Sequence, residues 1–546
     1  MEIGDNFLID FIEDDLKAGG ADHVHTRFPP EPNGCLHIGS AKAIFINWSI
    51  AKRFGGKFNL RYDDTNPVKE NEDFVRSIEE DITWLIGGAP SGGIFYGSDY
   101  FDKCFEFALQ LIEQGDAFVC DLSADELRTY RGTLTESGRE SPHRNRTVAE
   151  NRDLFLRMRD GEFPDGSKTL RAKIDMSSSN INMRDPAIYR IVRARHHRQG
   201  GKWCVYPLYD YAHPIQDALE GITHSLCSIE FENHRPLYDW VVEKIGFKPA
   251  PKQREFARLN VTNTVMSKRY LRQLVETGGV DGWDDPRMPT LAGLRRRGYS
   301  PAAIFDFVNR AGIAKAHSLV DIRLLEHCAR EELGASAERR IAVYQPIKVT
   351  IENYPAGKTE YFELPNHPEK PELGTRKLAF TRDLYIDAAD YSDNPPPKFH
   401  RLKPGGEVRL MGAYIVKYLR TEGDTIICEA DIETANGMPA DGRKVKGTIH
   451  WLSRGHAADA EIRLYDSLFT LEDVNAIPED KTFDDYLNPN SLKVYPTAKT
   501  EPSLKNVTAG QRFQFVRNGY FCADKNSTEE KAVFNQIVAL KDTFKP

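Results

Sequence analysis

The sequence predicts a multidomain protein in which an α/β half is joined to an all-β half. Three observations point that way. Residues 23–88 alternate between short apolar strands and helices of 3.6-residue period, the pattern of a parallel sheet with crossover helices. From about residue 340 onward, short alternating strands follow one another between Gly, Pro and Asn, as in β-barrels or sandwiches. A chain of 546 residues also exceeds what one hydrophobic core holds; size alone suggests roughly three to five domains.

Element by element, residues 1–20 read as one amphipathic helix, and HVHTRFPP (23–30) as a strand ending in prolines. AKAIFINWSIAKRFG (41–55) has helical apolar spacing and stops at Gly55-Gly56, a good C-terminal signal. KFNLRYDDTNP (57–67) is a strand entering a turn, and FVRSIEEDITWLIGG (74–88) the next helix. The pattern loosens over 100–205, which reads as an insertion, with a helix at FDKCFEFALQLIEQG and the charged run RTYRGTLTESGRESPHRNRT. Alternation resumes at WCVYPLYDYAHPI (203–215), with a helix at 234–246 and one strand at REFARLNV (254–261). Residues 265–335 are mostly helical. The segments IAVYQPIKVTIENY, EVRLMGAYIVKYLR, DTIICEADI, VKGTIHWL, AEIRLYDSLF and RFQFVRNGYFCAD then supply strands.

Composition narrows the class. A hydrophobic fraction of 40% is ordinary for a globular protein, and no run approaches the roughly 18 apolar residues of a membrane span. The acidic N-terminus has the wrong charge for a signal or transit peptide. Eight scattered cysteines form no CxxC pair and no Cys/His cluster, so a reducing cytosol and no structural metal are expected. The net charge of −8 is not that of a typical nucleic-acid binder. The strips YRIVRARHHRQGGK (189–202) and LRRRGYS (294–300) are nonetheless locally basic, and screening keeps a polyanion contact local.

Two segments carry chemistry. In RFPPEPNGCLHIGSAKA, the turn Pro32-Asn33-Gly34 leads into a helix start at His37. Backbone N–H groups and the helix dipole favour an anion there, and His37 and Lys42 add donors and positive charge. The bland alternative is a surface turn with a capping Ser40. In VMSKR, Met266, Ser267, Lys268 and Arg269 place a hydroxyl and two cations in a flexible stretch, suited to a mobile loop that meets phosphates. Taken alone, it is an ordinary loop.

Together these segments resemble the HIGH and KMSKS signatures of class I aminoacyl-tRNA synthetases. RFPPEPNGCLHIGSAKA, NLRYDDTNPVKENEDFV, YRGTLTESGRESPHRNR, LYDYAHPIQDALEGITHSLCSIEFENHRPLYDW, RLNVTNTVMSKR and GWDDPRMPTLAGLRRRGY resemble the glutaminyl members of the glutamate/glutamine group. So do EVRLMGAYIV, ADGRKVKGTIHWL, EIRLYDSLF, EPSLKNVTAGQRFQFVRNGYFCAD and KAVFNQIVALKDT, so the resemblance covers nearly the whole chain. It implies a Rossmann-like parallel-sheet catalytic domain in two parts, 1–98 and 209–262, around an inserted acceptor-stem-binding domain, 99–208. A helical subdomain with the MSKR loop (263–337) and two antiparallel β-barrels that bind the anticodon (338–546) would follow.

The resemblance further implies residue roles. ATP is expected around Glu31, Pro32 and Asn33 and along His37, Ile38, Gly39, Ser40, Ala41, Lys42 and Ala43. Gly39 permits close backbone approach to the adenosine. Ser228, Arg258 and Leu259 are expected near the adenine, and Met266, Ser267 and Lys268 over the phosphates, with His37, Ser267 and Lys268 catalytic. For the amino acid, Asp63 suits the α-ammonium, Arg27 the carboxylate and Tyr209 the amide, with Gln253 and Cys227 close by. Asp63 within DDTNP would also make a turn in any protein. tRNA contacts are expected at Asn233 and, for the anticodon, at Arg339, Arg340, Lys398, Arg401, Gln514 and Arg517, by stacking and base-edge hydrogen bonds. Mg²⁺ should travel with ATP, tRNA should be required for activation, and a cytoplasmic monomer is the family expectation.

Two positions sharpen the reading. Glutamyl enzymes of the archaeal and eukaryotic type carry an arginine where this chain has Cys227, able to pair a substrate carboxylate; an uncharged pocket suits a carboxamide. Glutamate–tRNA ligation is therefore the disfavoured alternative. Many relatives also have a second histidine where this chain has Ser40. A hydroxyl donates one hydrogen bond or caps the helix but carries no charge, so retained activity with weaker phosphate stabilisation is expected.

Overall fold

The computed structural model describes residues 3–67, 72–435, 437, 439 and 441–544. Residues 68–71 of the DDTNPVKENEDFV segment and Ala440 of ADGRKVKGTIHWL lie outside the described residues. The chain divides into two compact units: Met1–Asn260 with Phe305–Val320, and Val261–Ile304 with Asp321–Pro546.

In the first unit, strands His25–Phe28, Lys57–Tyr62 and Gly93–Tyr96 form a parallel sheet in that order. Helix Ile38–Arg53 connects the first two and helix Glu72–Ile86 precedes the third. A second parallel pair, His224–Ser228 beside Lys252–Phe256, adjoins the first strand. The Thr223 amide donates to the His25 carbonyl at 3.0 Å, and the His25 amide to Thr223 Oγ1 at 2.8 Å. Strands of the two halves thus meet although about 200 residues separate them.

The insertion carries a four-stranded antiparallel sheet of Ala117–Cys120, Thr169–Ala172, Ala187–Ile191 and Val205–Pro207. Helices Phe101–Glu113 and Val148–Arg159 cover it, with Phe105 stacked on Phe155 at 4.6 Å beside Tyr189 and Trp203. Apolar spacing at i, i+3 and i+4 in the first of these helices puts Phe101, Cys104, Phe105 and Ala108 on the buried face.

The second unit holds helices Lys268–Glu276, Leu291–Arg297 and Ile322–Ser336, then two seven-stranded sheets, each around its own core. The sheets are mostly antiparallel, with parallel pairings at Pro346–Ile351 with Thr425–Asp431, Ala458–Tyr465 with Ala532–Ala539, Glu338–Arg340 with Arg512–Phe515 and Glu407–Leu410 with Thr448–Ile449.

Element boundaries shift for local reasons. Helix Ile38–Arg53 starts three residues before the predicted 41–55, because His37 caps it. The N-terminal helix is Phe7–Lys17, shorter than 1–20, since the Asn6 side chain accepts from the Leu8 amide and starts it there. REFARLNV is two strands, Lys252–Phe256 and Leu259–Val261, because Ala257 turns aside to donate to the Ala314 carbonyl at 2.8 Å. RFQFVRNGYFCAD is a hairpin, Arg512–Phe515 and Gly519–Ala523, turning through Arg517 at φ 68°.

Candidate active site

The HIGS segment is built as a capped helix entrance. His37 is the N-cap, with extended backbone, and its Nδ1 accepts the Gly39 amide at 3.1 Å. An Nδ1 that accepts places the ring proton on Nε2. Ser40 Oγ accepts the His37 amide at 3.4 Å, closing a reciprocal capping box. The first turn contains no acidic residue, so nothing there opposes an anion. Lys42 is 4% exposed, and burial pushes its ammonium down to about 8. The preceding turn is tight: the Asn33 amide donates to the Glu31 carbonyl at 2.9 Å, and the Asn33 side chain also reaches Glu31.

A cavity of about 150 Å³ gathers part of the predicted set. Glu31, Pro32 and Asn33 line it together with Asp63 and Tyr209, and the sequence reading missed Thr65, Arg190 and Leu208 there. Asp63 Oδ1 accepts from Thr65 Oγ1 at 2.8 Å, and burial pushes its carboxyl up to about 6 against that bond. Tyr209 begins helix Tyr209–Leu219 and stacks on His213 at 4.8 Å; burial holds its hydroxyl protonated.

Arg27 sits inside a buried network. It is fully buried, and its donors are engaged: Nε on Asp217 at 3.1 Å, NH1 on the Leu226 carbonyl at 3.0 Å, and NH2 on Ser225 Oγ at 2.6 Å. Arg61 shares Asp217 at 2.7 Å, and Tyr238 donates to the same carboxylate at 2.9 Å. Arginine suits this place because its fork meets several acceptors at once. These partners make Arg27 a buried support of the site.

Cys227 lies on strand His224–Ser228, 9% exposed, its thiol donating to the Arg254 carbonyl at 3.9 Å and held protonated by burial. Gln253 is also buried, donating to the Phe231 carbonyl and to Glu255. Ser228 donates to Glu230 at 3.2 Å, and the exposed Arg258 pairs with Glu230, while Leu259 is buried. None of these lines the cavity that Asp63 and Tyr209 share. Asn233 is exposed, and its carbonyl accepts from Asn180 at 2.7 Å and Asn182 at 3.2 Å.

In the second unit, Ser267 is exposed at the start of helix Lys268–Glu276 and makes no side-chain capping bond. Tyr270, Leu271 and Leu274 anchor that helix in a core with Val265, Met288 and Phe469, so the extended residues before it hang from a fixed base. Among the predicted anticodon residues, Arg339 pairs in register with Gln514 on adjacent strands. Arg401 and Arg517 converge on Asp390, at 3.1 Å and 2.7 Å. Lys398 is exposed with φ 65°. Arg340 is 8% exposed and donates to Asn366 at 2.9 Å, to the Arg339 carbonyl at 2.8 Å and to Glu338.

Asp64, His196 and His197 come close enough to suggest a metal centre, with one ligand atom from each within 4.8 Å of the others. The hydrogen bonds argue otherwise. His196 Nε2 bonds the Asp64 carbonyl at 2.7 Å, and its Nδ1 accepts the amides of Arg198 and Gln199. Asp64 itself accepts the Ser98 amide at 2.7 Å and Ser98 Oγ at 2.6 Å. The trio works as a clasp.

The family model for tRNA synthetases class I (E and Q), catalytic domain, matches residues 23–335, and the two anticodon-binding models of the same family match 337–433 and 448–524. This chain belongs to the class I (E and Q) tRNA synthetases. Its relatives in that family include a glutamine–tRNA ligase of Clostridium kluyveri, 52% identical over 99% of this chain and 98% of that one. One from Bradyrhizobium diazoefficiens is 52% identical over 100% and 98%, and one from Clostridium perfringens 53% identical over 100% and 99%. Among solved structures, a glutamate tRNA ligase from Elizabethkingia meningosepticum aligns at 18% identity and a TM-score of 0.43, covering 57% of this chain and 70% of that chain. No helix among the described residues is long and apolar enough to cross a membrane.

Proposed function

We propose that this synthetase is a glutamine–tRNA ligase. The observation that carries the reading is the full-length identity of about half to glutamine–tRNA ligases, joined to a buried, uncharged Cys227 at the position where glutamyl enzymes of the archaeal and eukaryotic type carry an arginine. A glutamine carboxylate oxygen attacks the α-phosphorus of ATP. The bond to the bridging oxygen breaks, and pyrophosphate leaves. A terminal ribose hydroxyl of tRNA(Gln) then attacks the activated carbonyl; AMP departs and the hydroxyl proton passes to the leaving phosphate or solvent. No protein nucleophile takes part, so catalysis is positioning and electrostatic stabilisation.

In this reading the capped helix start at His37–Ala43 binds triphosphate, with His37 Nε2 as donor, and Ser267 and Lys268 meet the charge that develops on pyrophosphate. Asp63 holds the α-ammonium and Tyr209 orients the amide. Mg²⁺ comes with ATP, held by phosphates and water; the absence of acidic residues from the first turn of helix Ile38–Arg53 fits that arrangement. Residues 99–208 hold the acceptor end with Asn233 nearby, and Arg339, Lys398, Arg401, Gln514 and Arg517 face the anticodon. The protein acts as a cytoplasmic monomer and needs tRNA for activation. Charging of tRNA(Gln) with radiolabelled glutamine tests the reading; charging of glutamate in its place would reverse it.

A further inference from the structure

An amino acid reaches its site as a zwitterion, so its head needs an anion and a cation. The cavity that holds Asp63 supplies the anion. Arg27, the cation expected from the sequence, is fully buried, donates to Asp217, Ser225 and the Leu226 carbonyl, and is not among the residues that line the cavity. A different arginine lines the cavity. Arg190 comes from strand Ala187–Ile191 of the insertion and shares the lining with Asp63, Asn66 and Tyr209. Its Nε is buried and has no hydrogen-bond partner among the described residues. A buried donor left unmet is costly, so a ligand acceptor at this place would satisfy it.

We infer that Arg190 receives the α-carboxylate of the amino-acid substrate, opposite Asp63 on its α-ammonium. This rests on the glutamine–tRNA ligase reading and adds the missing half of its amino-acid site. The guanidinium fork grips one carboxylate oxygen and leaves the other a lone pair for the α-phosphorus. That oxygen forms the new bond to phosphorus as pyrophosphate leaves, and no proton moves. Arg190 is contributed by the insertion and Asp63 by the parallel sheet, so the head group joins the two.

The test compares L-glutamine with L-glutaminol, which carries a hydroxymethyl group in place of the carboxylate, in the tRNA charging assay. Arg190→Gln should raise the KM for glutamine roughly ten- to a hundredfold, the worth of a charge-assisted bond. It should leave the inhibition constant of glutaminol and the KM for ATP unchanged. Arg190→Lys should recover part of the loss, keeping the charge without the fork. Equal losses for glutamine and glutaminol, or a loss confined to the KM for tRNA, would overturn the assignment. Wild-type protein that charges glutamate and not glutamine would instead overturn the function reading. In that case glutamate and its carboxylate-reduced alcohol replace the probe pair, and the Arg190 comparison is read in the same way.

Discussion

His196 Nε2 donates to the backbone carbonyl of Asp64 at 2.7 Å, linking a hairpin of the insertion to the turn that carries Asp63. The tautomer follows from the other ring nitrogen, which accepts the Arg198 and Gln199 amides. His197 adds a bond to the Asp64 carboxylate at 3.1 Å, and Arg198 joins Ser98 and Asp99 while lying 3.8 Å over the Tyr96 ring. Gly97 leaves room for this clasp; a Cβ there would stand 2.9 Å from Gln216 Nε2 and 3.3 Å from Asp64 Oδ1.

Loosening the clasp should therefore act on the amino-acid site. His197→Ala is expected to raise the KM for glutamine roughly tenfold, the worth of one charge-assisted hydrogen bond, with the KM for ATP unchanged. Amide hydrogen exchange should rise over residues 63–66, where the Asp63 amide is bonded to the Pro30 carbonyl. Charging kinetics and exchange on the same variant check this. His197→Gln, which keeps a donor, should restore most of the affinity.

The raised Asp63 carboxyl gives the site a pH dependence. Only the carboxylate attracts an ammonium, and burial sets the free-protein value at about 6. Above pH 6 the site is charged and the KM for glutamine should be flat; below it the KM should climb about tenfold per pH unit. Asp63→Asn should remove the dependence together with most of the binding. A KM profile between pH 5 and 8 is the measurement.

Asp217 neutralises two buried arginines, Arg27 and Arg61. Asp217→Asn leaves both cations without their shared counter-charge and should lower unfolding stability by about 3–5 kcal/mol, read by denaturant melts. Burial works against the charged form, yet the native carboxylate is held well below its usual range, first by Arg27 and then by His213 and Arg61. Its contribution is present above the ordinary aspartate value and is lost only as pH falls through the depressed one.

Ser40 closes the capping box on His37. Ser40→Ala removes the acceptor for the His37 amide and should cost about 0.5–2 kcal/mol of stability. Ser40→His should raise the activation rate if position 40 meets phosphate; an unchanged rate would mean that its hydroxyl serves the cap alone. Thermal melts and ATP–pyrophosphate exchange separate the two effects.

The parallel-sheet half and the β-rich half were legible because hydrophobic period and turn residues are local signals. Asp63 and Tyr209 were legible through the family motifs, and the structure brings both to one cavity. The network around Arg27 was not legible, because a motif gives residue type and position along the chain but not which way a strand residue faces; its side chain donates to Asp217. Arg190 escaped notice inside the basic strip 189–202, where charge alone suggests a solvated face. Its importance lies in a missing partner, which only coordinates reveal. The division of REFARLNV likewise depends on a distant carbonyl, that of Ala314.

The most direct test of the central claim is tRNA(Gln) charging with glutamine and with glutamate, side by side, on the wild-type protein and on Cys227→Arg. The account predicts that wild type charges glutamine and discriminates strongly against glutamate, and that an arginine at 227 lowers kcat/KM for glutamine while raising it for glutamate. Efficient charging of glutamate by the wild-type protein, with glutamine a poor substrate, would contradict it.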